Sequence, residues 1–245
     1  MQPDPPASFT ARDLVYRRGM TSSVRRWGRW ILVVVLLLVG SAWWVDLSLA
    51  VWLQQNVTPG VDHVFQQVGR LGNSGMYVGA ALTVYVGSLS AVARGWAGPT
   101  RGGYASWTRG SLLLLATLMV GGLITLILKK TVARARPQAF FDNGIYGLGA
   151  PFCGKPFDSF PSSHTFTAFA VAAVIGVIRP AWRWPAMALA GMVAVSRLVN
   201  LNHYLSDVGA AALIAIVTAH ILAPHIWNEG QIWAVQPPWR WFKWG

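Results

Sequence analysis

Six long apolar runs, near residues 29–50, 75–95, 110–129, 163–179, 184–201 and 207–227, set the limits on what this chain can fold into. A hydrocarbon core about 30 Å thick takes roughly 20 apolar residues of helix. Inside it each backbone N–H and C=O must find its partner within the segment. The runs therefore predict an all-α, polytopic membrane protein with six transmembrane helices, the fourth and fifth of them short. Of the 245 residues 54% are apolar and 11% charged, more continuous apolar sequence than a water-soluble domain of this size needs. Trp27, Trp30, Trp96, Trp107, Trp182, Trp184 and Trp227 flank the runs, as amphipathic rings do at headgroup level.

A net charge of +12 raises the question of nucleic acid, which the distribution of cations answers. With the N-terminus placed in the cytoplasm, 13 of the 20 cations fall on cytoplasmic segments. The remaining seven are Arg70, Lys129, Lys130, Arg134, Arg136, Lys155 and Arg197. That bias orients both termini to the cytoplasm. Membrane topology and anionic headgroups account for the basic balance, so no nucleic-acid partner is expected. The same reading divides the chain into a basic cytoplasmic segment (1–28), a six-helix membrane domain (29–227) and a cytoplasmic interfacial tail (228–245).

The first run reads better as a membrane helix than as a cleaved signal peptide. Its leader is long and Arg-rich, and "SAWWVDLSLA" offers no small-residue cleavage site. The single Cys153 leaves no internal disulfide and no Cys-rich metal site. Between the first two runs, Val61, Val64, Phe65, Val68 and Leu71 recur at helical spacing, which predicts an amphipathic helix on the outer interface, or alternatively a substrate-access element. The tail "WAVQPPWRWFKWG" mixes Trp with basic residues as an interfacial anchor would.

Three polar pieces face the outer compartment in this topology: "LKKTVARARP" after the third run, "FPSSHT" before the fourth, and "SRLVNLNHYLSD" after the fifth. Together they would gather Lys129, Arg136 and Arg197 with His164, His203 and Asp207 in a partly desolvated place, where an anion is the missing partner. Phosphate suits them, since the Arg fork matches its oxygens and Lys adds a point charge. Lys129 and Arg136, seven positions apart, share a face if the third helix continues beyond the membrane, with Lys130 and Arg134 pointing elsewhere. Pro137 then stops that helix. Ser162 and Ser163 can cap the fourth helix while its free N–H groups point at an anion; an ordinary interfacial cap with a solvated His164 is the plain alternative. His203 and Asp207, at i and i+4, would lie on one helical face, where the carboxylate holds one ring nitrogen protonated and leaves the other as nucleophile or base.

In order, the pieces are Lys129, six residues, Arg136-Pro137; then Pro161-Ser162-Ser163-His164; then Ser196-Arg197, five residues, His203, three residues and Asp207. This pattern resembles the three-part signature of the type 2 phosphatidic acid phosphatase superfamily. The resemblance implies a membrane phosphatase for lipid phosphates, free of metal and cofactor, with its active site at the outer end of the helical bundle. It further implies that Lys129, Arg136 and Arg197 grip the phosphate and that His203 attacks phosphorus. Asp207 would orient His203, His164 would protonate the leaving oxygen, and Ser162 would donate to the phosphate. Ser163 stands where the family usually has glycine, and there it would add a hydroxyl donor.

Zinc held by His164, His203 and Asp207 is the chemical rival, though three neighbouring cations would repel it. His63, His220 and His225 read as packed or interfacial histidines. The reaction is expected to be hydrolysis of a lipid phosphate or diphosphate through a phosphohistidine, with phosphoryl transfer to a second lipid and non-enzymatic anion binding as alternatives. Polyprenyl diphosphate, phosphatidylglycerol phosphate, phosphatidate and lipid A all carry a suitable group. The loop 138–160 is the segment placed to choose among them, if it does more than close the fold. The surrounding partner is the lipid bilayer, at a bacterial cytoplasmic membrane with the site facing outward.

Overall fold

The computed structural model describes residues 11–94 and 101–226. Among them the regular structure is helical: α1 (Ala11–Trp44), α2 (Asp46–Asn56), α3 (Pro59–Arg70), α4 (Ser74–Ala93), α5 (Arg101–Val132), α6 (Pro137–Asn143), α7 (Ser163–Ile178), α8 (Arg183–Val199) and α9 (Leu205–Ile226). A 3-10 turn, Pro180–Trp182, links α7 to α8. From Leu38 onward the described residues form one compact unit, while α1 up to Leu37 belongs to another.

A helix occupies each predicted apolar run, but the first run is broken, and α1 and α2 meet there at 58°. Ser106–Val132 and Leu205–Ile226 are each long and apolar enough to cross a membrane. Gly28–Trp44 with Asp46–Asn56 makes a third crossing if the bent pair counts as one span. By the same measure α7 is apolar but short, and α4 and α8 fall outside it. Leu123, Ile124, Leu126 and Ile127 of α5 are exposed, as on a helix that faces lipid. Trp30, Trp107, Trp182 and Trp184 are exposed too. Trp96, Trp227 and the 228–245 tail lie outside the described residues, as does the side chain of Trp27.

In the compact unit α7 packs against α5, α8 and α9, and α4 packs on α5. Alanines make these approaches possible: Ala170, Ala172 and Ala173 of α7 and Ala211, Ala215 and Ala219 of α9 are buried, and small side chains let helix axes draw together. Phe166 fills the space that they leave, meeting Leu118, Ala170, Ala211 and Ala215. A Cβ on Gly121 would stand 2.5 and 2.7 Å from that ring, whereas one on Gly122 would be 3.8 Å away. Gly121→Ala is therefore expected to destabilise the unit by about 1–3 kcal/mol through overpacking. The thermal midpoint of the detergent-solubilised protein measures this, with Gly122→Ala as the matched control. Equal midpoints would mean that the Phe166 ring yields at no cost.

Helix α3 starts on Thr58, whose side chain accepts from Val61 N, with Pro59 in the first turn. It packs against α8, and Asn200 Nδ2 ties it down by donating to Asp62 O at 3.0 Å and Asp62 Oδ1 at 2.5 Å. The predicted apolar stripe is thus divided. Phe65 and Val68 are half-buried, while Val61, Val64 and Leu71 remain exposed. The end of this helix is close to the polar cluster: a Cβ on Gly69 would meet Arg197 Nη1 at 2.9 Å, and one on Gly72 would meet His164 Cβ at 2.7 Å.

Candidate active site

Lys129 and Arg136 converge, though not along one helix as the sequence suggested. Helix α5 ends at Val132, Ala133 adopts φ 46°, and Arg136 is extended at φ −76°, ψ 152°. Pro137 imposes that extended geometry on the residue before it and opens α6 instead of closing α5. The two cations meet on Asp158. Arg136 Nε and Nη2 donate to its two carboxylate oxygens at 2.6 and 2.8 Å, and Lys129 Nζ donates to its backbone carbonyl at 2.6 Å. The third guanidinium nitrogen, Nη1, has a long contact of 3.4 Å with Asn202 Oδ1. Burial pushes the Asp158 carboxyl up, but the hydrogen bonds and charge of Arg136, with Lys129 and Lys155, outweigh it and hold the group below its ordinary range.

Backbone hydrogen bonds sew the 144–159 loop to this segment. Ala135 N donates to Gly147 O, Gly149 N to Ala133 O, Arg136 N to Pro156 O, and Ser159 N to Arg134 O, all at 2.7–3.1 Å. Gln138 N reaches Leu201 O at 3.1 Å, fastening the same segment to the turn after α8.

That turn carries His203. Asn202 N and His203 N both donate to Arg197 O, and Leu201 takes φ 51°. His203 precedes α9 while Asp207 sits in its first turn, so the pair does not share a helix. The buried ring contacts Ser159 O through Nδ1 at 2.7 Å; a carbonyl only accepts, so Nδ1 carries the proton and Nε2 keeps its lone pair. Asp207 Oδ2 is 4.0 Å from Nδ1, beyond hydrogen-bonding distance. The expected direct contact from Asp207 is thus replaced by Ser159. Burial, and then the charges of Lys129, Arg136 and Arg197, keep the His203 ring well below the ordinary histidine value.

Asp207 is wholly buried and fully engaged elsewhere. Oδ2 accepts from Ser159 Oγ at 2.6 Å and Tyr204 N at 2.8 Å, and Oδ1 accepts from Arg134 Nη1 at 2.8 Å. Arg134, which helical spacing set aside, turns into the interior. Its Nη2 pairs with Asp46 at 2.9 Å and its Nη1 donates to Ser206 Oγ at 2.7 Å, with the guanidinium 4.3 Å above the Tyr204 ring. Burial alone would lower the Arg134 pKa; Asp207 and Asp46 outweigh it and raise it above the usual arginine value. Asp46, at the break between α1 and α2, also accepts from Ser206 N at 3.0 Å, from Ser41 Oγ at 3.1 Å, and from Ser206 Oγ.

Ser162 caps α7, accepting from Thr165 N at 3.4 Å and Thr165 Oγ1 at 3.0 Å, and its own N–H goes to Asp207 O. Its hydroxyl is buried and occupied as an acceptor, leaving only its proton to give. The N–H groups of Ser163 and His164 stand at the open end of the helix. Ser163 is exposed and helical, and among the described residues positive φ occurs outside glycine only at Ala133, Phe152 and Leu201. No glycine-like conformation is needed there. His164 is half-buried and within reach of the charges of Arg197, Arg136 and Lys129. Arg197 has a buried Nε with no hydrogen-bond partner among the described residues, a donor awaiting an acceptor.

Three cations, one of them Arg197 with its orphaned donor, and a lone-pair nitrogen suit a tetrahedral oxyanion. Among the described residues, no group of three or more His, Cys, Asp or Glu is placed to hold a metal ion.

Residues 110–231 match the family model of the PAP2 superfamily. Over these residues the chain is similar to that superfamily. The PAP2 match takes in every site residue named above except Asp46 and its partner Ser41. A lipid A 1-phosphatase from Rhizobium johnstonii is 35% identical over 125 residues, covering 49% of this chain and 50% of that protein. Another from Rhizobium etli is 35% identical over 138 residues, covering 51% and 58%. The chain thus spans about half the length of the curated relatives it matches. In fold it is similar to a transmembrane PAP2 type phosphatidylglycerolphosphate phosphatase from Bacillus subtilis, with a TM-score of 0.60 and 18% identity over 82% of this chain and 96% of the other. Aquifex aeolicus LpxE gives 0.51 and 18%, over 72% and 93%.

Proposed function

We propose that the protein is an integral membrane lipid phosphatase that works through a phosphohistidine on His203 without a metal ion. The observation that carries this reading is the neutral, buried His203 ring, fixed through Nδ1 and acted on by Lys129, Arg136 and Arg197. Phosphoryl transfer asks chiefly for positioning and for charge to offset the equatorial oxygens. Nε2 attacks phosphorus and forms the N–P bond as the bond to the lipid oxygen breaks. The departing electron pair stays on that oxygen, which takes a proton from His164. The substrate's own negative charge favours the protonated His164 ring that this step needs. Water then attacks phosphorus and gives a proton to His164, and the N–P electrons return to His203, releasing inorganic phosphate.

Arg197 Nε and Arg136 Nη1 are the donors with capacity to spare, joined by Lys129 and the N–H groups of Ser163 and His164. Six spans, cytoplasmic termini and an outward-facing site at a bacterial cytoplasmic membrane complete the proposal, with support from the six helix positions and the cation bias. Among lipid phosphates, the relatives named lipid A 1-phosphatase put lipid A first.

The test is inorganic phosphate release by the purified full-length chain from lipid A, phosphatidylglycerol phosphate, phosphatidate and polyprenyl diphosphate, each supplied alone. Release with one lipid present identifies hydrolysis; a phosphorylated second lipid without free phosphate would mean transfer. Activity is expected to persist in excess EDTA and to be inhibited by vanadate, which adopts the five-coordinate geometry of phosphorus in flight. Loss of activity on chelation, restored by zinc or magnesium, would overturn the metal-free mechanism.

A further inference from the structure

We propose that Asp46 and Arg134 are positioning residues for His203, acting on it through Asp207 and Ser159. The chain of contacts is continuous. His203 Nδ1 donates to Ser159 O at 2.7 Å, Ser159 Oγ donates to Asp207 Oδ2 at 2.6 Å, Arg134 Nη1 donates to Asp207 Oδ1 at 2.8 Å, and Arg134 Nη2 meets Asp46 Oδ2 at 2.9 Å. Asp46, Arg134, Ser159, His203 and Asp207 are all buried, so each change of charge is felt at short range in a poorly screened place. Asp46 lies outside the PAP2 match, on the first turn of α2. The early part of the chain therefore supplies a carboxylate to the support of the site.

Arg134 decides where Asp207 can go. The carboxylate has two cationic or potentially cationic neighbours, Arg134 at 2.8 Å and the His203 ring at 4.0 Å. Held by Arg134, it leaves Nδ1 to the neutral carbonyl of Ser159. Released, it would close on Nδ1 and stabilise the imidazolium, whose Nε2 has no lone pair. Asp46 in turn shares the Arg134 fork, setting how much of its charge falls on Asp207. The groups acting on His203 are Lys129 from α5, Arg136 from the segment after it, Arg197 from α8 and the Ser159 carbonyl, with Asp207 of α9 at 4.0 Å and, behind Asp207, Arg134 and then Asp46 of α2. Among the described residues Arg134 is the cation that pairs with both buried carboxylates.

This inference rests on His203 as the phosphate-accepting residue, but its test does not need turnover. Full-length protein labelled with isotopic histidine is titrated by NMR in detergent, and His203 is assigned by the signal lost in His203→Gln. Arg134→Gln leaves two buried carboxylates without their cation and should raise the pH at which the His203 ring titrates by about one unit or more. The acidic limb of kcat/KM should move the same way. Arg134→Lys keeps the charge but cannot fork between two carboxylates, and should give a smaller shift in the same direction. Asp46→Asn/Arg134→Gln restores the wild-type charge sum and should bring the titration back toward that of the parent. An unchanged His203 titration in both Arg134 variants, whatever happens to their thermal midpoints, overturns the proposal. If Arg134→Gln does not fold, Arg134→Lys alone decides. A wild-type protein that releases no phosphate, with His203 still shifted in the variants, ends the phosphatase reading and leaves the positioning network standing.

Discussion

His203→Ala is expected to bring phosphate release from every lipid to background, a loss on the order of 10³-fold or more, as when the nucleophile of a concerted catalytic group is removed. Ser159 O holds the Nδ1 proton at 2.7 Å, so Nε2 is the nitrogen with electrons to give, and no other described histidine shares that environment. The wild-type pH profile follows with its sign. The imidazole attacks only when neutral, and burial followed by the charges of Lys129, Arg136 and Arg197 lowers the His203 value. The acidic limb of kcat/KM assigned to His203 should therefore fall below the ordinary histidine range near 6.5. Appreciable turnover by His203→Ala, or an acidic limb above that range, would remove His203 from the nucleophile's place.

Removal of the second histidine should act selectively. In His164→Ala the oxygen leaving phosphorus must depart without its proton, and the penalty scales with that oxygen's basicity. Hydrolysis of an alkyl monophosphate is expected to fall by about 10²–10⁴-fold. Nitrophenyl phosphate, or a diphosphate whose leaving phosphate has a second pKa of about 6, should retain much more of its rate. The comparison uses one variant and several leaving groups, so loss of fold cancels from the ratio. Equal losses across the series would withdraw the acid role from His164 and leave it as a wall of the site beside Gly72.

The helices were legible because apolar run length is a direct physical signal: the runs at 110–129 and 207–227 are α5 and α9 in outline. Lys129, Arg136, Arg197, His164 and His203 lie within one another's electrostatic reach, though not by the route that helical phase predicts. Helical phase placed Lys129 and Arg136 together, whereas a left-handed Ala133 and an extended Arg136 turn the chain, and Asp158 gathers both cations. Nothing in the spacing announces Asp158 or Ser159, since their roles come from a loop folded back by backbone hydrogen bonds. Asp46 did leave a signal. A carboxylate near the end of an apolar run needs a partner, but that partner, Arg134, lies 88 positions away, a distance no local periodicity can bridge. Asp207 was placed beside His203 by its i, i+4 spacing, which assumes a helix that begins only at Leu205.

Much of the stitching of the 144–159 loop uses main-chain atoms on both sides, while Asp158 and Ser159 at its end add side-chain bonds to Arg136 and Asp207. Leu148 and Phe152 are more than two-thirds exposed and Tyr146 lies edge-on to Tyr204, while the same strip of backbone delivers Ser159 to His203. The two exposed side chains can thus be changed without touching a bond that holds the loop. Leu148 and Phe152 therefore offer two positions at which the face of the loop can be varied by mutation while the backbone that meets the histidine stays as it is.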